Sequence, residues 1–180
     1  MPRNQGAYAS TEENIAAVCR LIGHTPTAEG LAAATRIRLA FTRSYLEPRG
    51  DTLATLAAIR ESGRKLGLVS DCSIEVPTLW GETAFAPLFD MTVFSSQMGT
   101  KKPDPRMYLA ACEGLGVPPE ACLYVGDGSS QELTGAAAVG MHPVLIRMAH
   151  EENPDAFRPG EESWPGPRIR TLAEVIGRLE

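Results

Sequence analysis

Cys122-Leu123-Tyr124-Val125-Gly126-Asp127-Gly128-Ser129-Ser130-Gln131-Glu132 is the stretch on which the reading of this chain turns. It opens with an apolar run too short for a helix, which stops at a glycine followed at once by an acid. Glu132 lies five residues beyond Asp127, in the first turn of a predicted helix over 131–139. A strand that delivers two carboxylates to one end suits a hard cation such as Mg²⁺, which takes one or two carboxylates together with water and phosphate oxygens. A Gly-rich turn with a helix-capping acid is the plainer reading of the same residues.

Working outward, the strand pattern recurs on both sides. Leu66-Gly67-Leu68-Val69-Ser70, Met91-Thr92-Val93-Phe94-Ser95 and Val144-Leu145-Ile146 are further short apolar runs. Helical stretches are expected near 77–86 and 105–115, and Thr171 can cap a last helix to Leu179. Continuous apolar strands alternating with helices predict a parallel sheet over 66–147 covered on both faces. In such sheets ligands bind beyond the carboxyl ends of the strands. The first of these ends carries Ser70-Asp71-Cys72-Ser73, where a hydroxyl backed by backbone N–H groups can hold an anionic oxygen, or simply make a turn. The second leads into Gly99-Thr100-Lys101-Lys102-Pro103-Asp104-Pro105, where two prolines stiffen the segment that presents Lys102. A solvated pair of surface lysines is the alternative there.

Before residue 66 no strand is expected. Ser10-Thr11-Glu12-Glu13 fits a capping box, and Ile15, Val18, Cys19 and Ile22 then mark one apolar helix face. A second helical pattern runs from Thr27 to Leu46 with Ile37, Phe41 and Tyr45 at i+4 steps. Pro48-Arg49-Gly50 breaks it, and Asp51 can cap a third helix to Arg64. His150 to Arg168 reads as a loop excursion rich in proline.

Composition bounds the function. Seventeen Lys and Arg against 22 Asp and Glu give a net charge of −5, which argues against a nucleic-acid binder. No apolar run approaches the roughly 20 residues that span a bilayer, so no membrane partner is expected and the location is read as cytoplasmic. Cys19, Cys72, Cys112 and Cys122 lack C-x-x-C spacing and read as reduced thiols.

Hydroxyl, lysine and carboxylate pair, at the ends of successive strands, resemble the haloacid dehalogenase (HAD) superfamily. Leu68-Val69-Ser70-Asp71 is similar to its second motif, Lys102-Pro103-Asp104-Pro105 to its third, and Val125-Gly126-Asp127 through Glu132, Gly135-Ala136 and Gly140-Met141 to its fourth. Residues 10–48 resemble the small helical cap of many members. The resemblance implies an α/β, Rossmann-like, three-layer fold with a cap over 1–50 and a core over 51–180. It implies that Ser70, with Asp71 beside it, binds the phosphoryl group. Lys102 would neutralise charge during transfer, Asp127 would ligate Mg²⁺, and Glu132, where the family usually has Asp, would ligate it directly or act from behind the direct ligands. Such charge stabilisation supplies most of phosphoryl-transfer catalysis. Tyr8, Arg36, Arg38 and Arg43 are cap residues that could face a substrate. Asp71 departs from the family's usual Asn, and its carboxylate would repel phosphate unless the side chain turns away or is protonated.

The family's first motif, D-x-D-x-T/V, supplies the aspartyl nucleophile and the acid/base Asp at the end of a central first strand. Neither acid is found. Residues 1–10 contain no Asp. Asp90 has Thr92 where the second acid belongs, Asp155 follows no apolar strand, and Asp51 caps a helix. The nucleophile is therefore absent from these 180 residues, and so is the strand expected between those ending at Ser70 and Gly126. Two readings follow. One is a Mg²⁺-dependent phosphatase of small phosphate esters recorded without its N-terminal segment, and inactive as written. The family's metal-free dehalogenases are the less favoured branch. The other is a non-catalytic phosphate- or protein-binding module. A variant of the second has a partner chain donating the missing strand, and a homodimer is the other partnership expected.

Overall fold

The computed structural model describes residues 4–147 and 163–179. Its first elements are α1 (Thr11–Leu21), α2 (Ala28–Tyr45), α3 (Thr52–Glu61), β1 (Gly67–Ser70), α4 (Glu75–Leu79) and β2 (Met91–Phe94). There follow α5 (Ser95–Met98), α6 (Pro105–Leu115), β3 (Leu123–Gly126), α7 (Glu132–Ala138), β4 (His142–Ile146) and β5 (Arg168–Ile169). They form two compact units. The first runs to Pro48 and takes in Ser70–Pro87 and Phe94–Lys101, and the second comprises Arg49–Val69, Leu88–Val93 and the chain from Lys102 onward. One limit of the first unit falls at Pro48. The segments 70–87 and 94–101, expected in the core, group instead with the helical unit.

In the first unit, α1 begins as its sequence dictates. Ser10 Oγ accepts the Glu13 N–H at 3.1 Å, and the Glu13 carboxylate reaches back to the Ala9 N–H at 2.8 Å, one residue earlier than a standard capping box. Thr27 caps α2 in the same manner through the Gly30 N–H. The two helices meet, but not through the expected apolar face. The residues fully buried on them are Thr11, Asn14, Ala17 and Thr35. Leu21, Ile22, Ile37, Phe41 and Tyr45 stand 83%, 76%, 71%, 54% and 73% exposed. Small and polar side chains let the helix backbones approach closely, and the larger apolar side chains are left outside. Packing of α4 on α2 centres on a buried carboxylate, Glu75, whose Oε1 accepts from Arg38 Nε at 3.0 Å. The helix expected over 77–86 is shorter than predicted: α4 ends at Leu79, and 3₁₀ turns occupy Trp80–Glu82 and Ala86–Leu88.

In the second unit the expected single sheet is two ladders. β1 pairs with β2, while β3, β4 and β5 form a separate sheet in that order. The Asp90 and Met91 N–H groups both donate to the Leu66 carbonyl, so β1 and β2 begin side by side. β4 is parallel to both its neighbours, with Val125 opposite Val144 and Ile146 opposite Ile169. The two ladders nevertheless share one core. Val93, Val69 and Met91 pack with Tyr124, Leu145, Met107, Tyr108, Leu133 and Ala136, under α6 and α7. A second cluster of Ile59, Val144, Ile169 and Val175 lies on the other face. This unit therefore has three layers, helices on each side of strands, as expected.

Two further differences have local causes. β5 was expected as loop; two residues after Pro167 are too few for a readable strand, and only pairing with β4 defines them. The last helix is a 3₁₀ helix, Leu172–Arg178, started by Glu174, whose carboxylate takes the Arg170 and Thr171 N–H groups. The region containing Asp155 and most of the predicted excursion after His150 lies outside the described residues. The four cysteines are free thiols, and Cys112, buried beside Cys122, has its thiol pushed up to about 11. No described helix is long and apolar enough to cross a membrane.

Candidate functional site

β3 and the turn after it build the site. The strand places Tyr124 and Gly126 inward, and Asp127 follows immediately, exposed at the carboxyl end. Gly128, at φ 84°, turns the chain, and its N–H donates to Glu132 Oε1 at 3.1 Å. Ser130 and Gln131 then both adopt left-handed conformations, φ 56° and 54°. Each such non-glycine residue costs on the order of 1–3 kcal/mol, and strain of this kind gathers where a fold must hold functional groups in place. It also explains why α7 begins at Glu132 instead of 131. The strained turn aims Glu132 back over β3, and Gly126 is required beneath it, because a Cβ there would overlap the Glu132 carboxylate.

Glu132 is almost wholly buried, and both its oxygens are engaged. Lys102 Nζ donates to Oε2 at 2.5 Å, and the Tyr124 hydroxyl donates to the same oxygen at 2.9 Å. Lys102 is itself only 9% exposed. Burying an ammonium and a carboxylate is tolerable only when each satisfies the other and further hydrogen bonds complete the set. The Tyr108 hydroxyl donates to the Glu132 carbonyl at 3.0 Å, tying α6 to the first turn of α7. Gly135 completes that packing, since a side chain there would overlap the Tyr108 hydroxyl and Pro103. Lys102 is delivered to this cluster by the segment before α6, where Asp104 caps the helix through the Arg106 N–H and Pro105 takes the first helical position.

Asp127 is held differently. Its Oδ1 accepts from the Ser129 N–H at 2.8 Å and from the Ser129 hydroxyl at 2.6 Å, and its carbonyl accepts from Arg147 at 3.0 Å. Burial acts to raise its pKa, but the Ser129 hydroxyl and amide, with the positive charge of Lys102, outweigh that and hold the carboxyl below its ordinary range. It is thus an ionised, exposed carboxylate within the field of a buried ammonium. As a single hard oxygen donor it fits Mg²⁺, which needs only one or two protein carboxylates. Among the described residues no three His, Cys, Asp or Glu side chains form a complete cage.

Of the five expected site residues, Lys102, Asp127 and Glu132 come together in the second unit. Ser70 and Asp71 belong to the first, at the end of β1, where buried Ser95 fixes the following loop by bonding both the N–H and the carbonyl of Cys72. Of the cap residues proposed to face a substrate, Arg38 is bound to Glu75 and Arg43 to Glu82. The reading from sequence missed Tyr124, Tyr108 and Arg147. For the tyrosines a signal existed: a Tyr in an apolar strand or helix face must find a partner for its hydroxyl when buried.

Known proteins place this geometry in a family. A family model of haloacid dehalogenase-like hydrolases matches residues 5–140. The chain is 35% identical over 164 residues to the glyceraldehyde 3-phosphate phosphatase of Methanopyrus kandleri, an alignment covering 89% of this chain and 70% of that protein. It is 33% identical over 128 residues to the phosphoserine phosphatase of Thermus thermophilus, covering 68% of this chain and 47% of that one. Among solved structures, a HAD phosphatase from Thermococcus onnurineus superimposes with a TM-score of 0.64 at 28% identity, over 89% of this chain and 68% of its own. The chain spans 70% of the length of the first of these relatives and about half of the second. With the family model matching most of the chain and a relative 35% identical over 89% of it, this chain belongs to the haloacid dehalogenase-like hydrolase family.

Proposed function

We propose that these 180 residues are the greater part of a Mg²⁺-dependent phosphatase of small phosphate monoesters. Its carboxylate nucleophile would lie on a strand outside them, seated between β1 and β3. The observation that carries the reading is the buried Lys102 ammonium, locked on Glu132 beside the exposed, ionised Asp127. That arrangement presents a fixed positive charge and a hard oxygen ligand at one strand end, and a dianionic phosphoryl group needs both.

In this reading Asp127 holds Mg²⁺, which when bound supplies charge neutralisation for the phosphoryl oxygens. Lys102 neutralises the nucleophile and the phosphate, and Ser70 donates its hydroxyl to a phosphoryl oxygen, with Asp71 beside it. Glu132 acts through Lys102, since both its oxygens are already engaged. The relatives' names, which refer to small phosphorylated molecules, support this substrate class.

The division into two ladders that share one core supports a seat for a further strand. It favours equally a second reading, a non-catalytic module completed by a strand from a partner. One experiment separates them. The 180-residue protein is expected to hydrolyse p-nitrophenyl phosphate with Mg²⁺ no faster than a buffer blank. A version extended by its upstream coding sequence, carrying an apolar strand that ends in D-x-D, should be active, and changing the first of those acids to Asn should abolish turnover. An extended protein that is folded but inactive supports the module. Turnover by the 180-residue protein that Asp127→Ala removes would overturn the assignment of the nucleophile.

A further inference from the structure

We infer that Cys112 and Cys122 form a peroxide-sensitive thiol pair, which a hydroperoxide converts to a disulfide stapling the end of α6 to the start of β3. The inference is independent of the phosphatase reading, because Cys122 precedes β3 and Asp127 follows it.

The two sulfurs lie 3.8 Å apart, and the chain on either side holds them there. Cys112 is in the last turn of α6, and its carbonyl takes the Val117 N–H at 3.1 Å across the left-handed turn at Gly116. Cys122 leaves the 3₁₀ turn Pro119–Ala121, its N–H donating to the Pro119 carbonyl and its carbonyl accepting from the His142 N–H, each at 2.9 Å. Less than about 2 Å remains to be closed to reach the roughly 2 Å of an S–S bond, within reach of side-chain rotation. Cys19 and Cys72 belong to the other compact unit.

The two thiols are differently placed, and that divides the roles. Cys122 is half-buried and donates its proton to the Pro118 carbonyl at 3.5 Å. The Cys112 S–H is left to donate to the Cys122 sulfur. Cys112 is only 4% exposed, within the core formed by α6, α7 and the strands. Burial, with that hydrogen bond, pushes its thiol up to about 11, so it stays protonated and out of reach of the oxidant. Cys122 is therefore the sulfur that meets the peroxide. It attacks one peroxide oxygen, an S–O bond forms as the O–O bond breaks, and a sulfenic acid and one water result. The Cys112 sulfur then attacks that of Cys122; the S–S bond forms, the S–O bond breaks, and the hydroxyl leaves with the Cys112 proton as a second water. Two thiols are oxidised by two electrons and one hydroperoxide is reduced.

Mass spectrometry of the folded, intact protein tests this. With a few equivalents of hydrogen peroxide it should lose two hydrogens, and one peptide should link Cys112 to Cys122. Cys19 and Cys72 should remain open to alkylation after unfolding, and dithiothreitol should reverse the loss. Contact between the sulfurs should make this bridge at least about tenfold more abundant than any other pairing. Cys122→Ser should abolish the mass loss, whereas Cys112→Ala should leave a sulfenic acid at Cys122 that dimedone traps. Closing the loop between the two positions should raise the melting temperature of the oxidised protein by about 3–10 °C. A folded wild type that keeps all four thiols, or whose bridges run through Cys19 or Cys72, overturns the proposal. So does a Cys112–Cys122 bridge that leaves the melting temperature unchanged or lower, since it would then be no staple.

Discussion

Two helices, α6 and α2, show how differently one kind of sequence pattern ends up in this protein. α6 has eleven residues and buries five of them, with Met107 and Tyr108 at 0% exposure. α2 has eighteen and buries only Thr35, while its apolar stripe faces outward. Both are amphipathic and well capped. The difference is in what each has to lie against. α6 covers strands, whose flat apolar face takes a whole helix side, and α7 closes its flank. α2 meets α1 through small and polar residues and α4 through an ion pair whose carboxylate is buried, contacts that use its other side. Periodicity shows that a helix has an apolar face; it does not show whether the fold covers it.

The largest test of this contrast is truncation of one apolar side chain in each helix. Met107→Ala should destabilise the protein by about 2–5 kcal/mol, because it opens a cavity in a sealed core. Ile37→Ala should change stability by less than about 0.5 kcal/mol. Urea unfolding followed by circular dichroism measures both, and equal costs at the two sites would show that α2 is no less packed than α6.

A second test compares ion pairs. Lys102–Glu132 is buried, and Lys102→Ala would leave the Glu132 carboxylate enclosed without its cation, at a cost of about 3–5 kcal/mol. Arg43–Glu82 has both side chains more than half exposed, and Arg43→Ala should cost less than about 1 kcal/mol. If Lys102→Ala unfolds no more easily than Arg43→Ala, the pair is not the anchor of the site.

The smallest expected effect is in acid. Burial tends to raise the Asp127 pKa, yet Ser129 and Lys102 hold it below the ordinary value. In the first unit burial likewise tends to raise Glu75, and Ser73 and Arg38 bring it below. A carboxyl depressed in the folded state contributes stability that is complete above its unfolded pKa, about 3.9 for Asp and 4.3 for Glu. That contribution fades as pH falls through the folded value. Asp127→Asn and Glu75→Gln should therefore flatten the loss of stability below about pH 4. A melting-temperature profile between neutral and acid pH that is unchanged by either substitution would show that these carboxyls are not held by the contacts described.

Much was legible in the residues alone. Short apolar runs ending in Ser70, before Lys102 and at Asp127 identified strands, because a buried parallel strand needs continuous apolar residues. Ser10 announced its helix, since a cap is a local interaction between neighbours in the chain. The structure alone decided what depends on residues distant in sequence. It showed that Glu132 is engaged by Lys102 and Tyr124, and that Ser130 and Gln131 are strained to hold it there. It divided the sheet into two ladders over one core, and it turned the stripe of α2 outward. Each of these outcomes is a choice among partners, and partners separated by tens of residues leave no periodic trace in the chain that carries them.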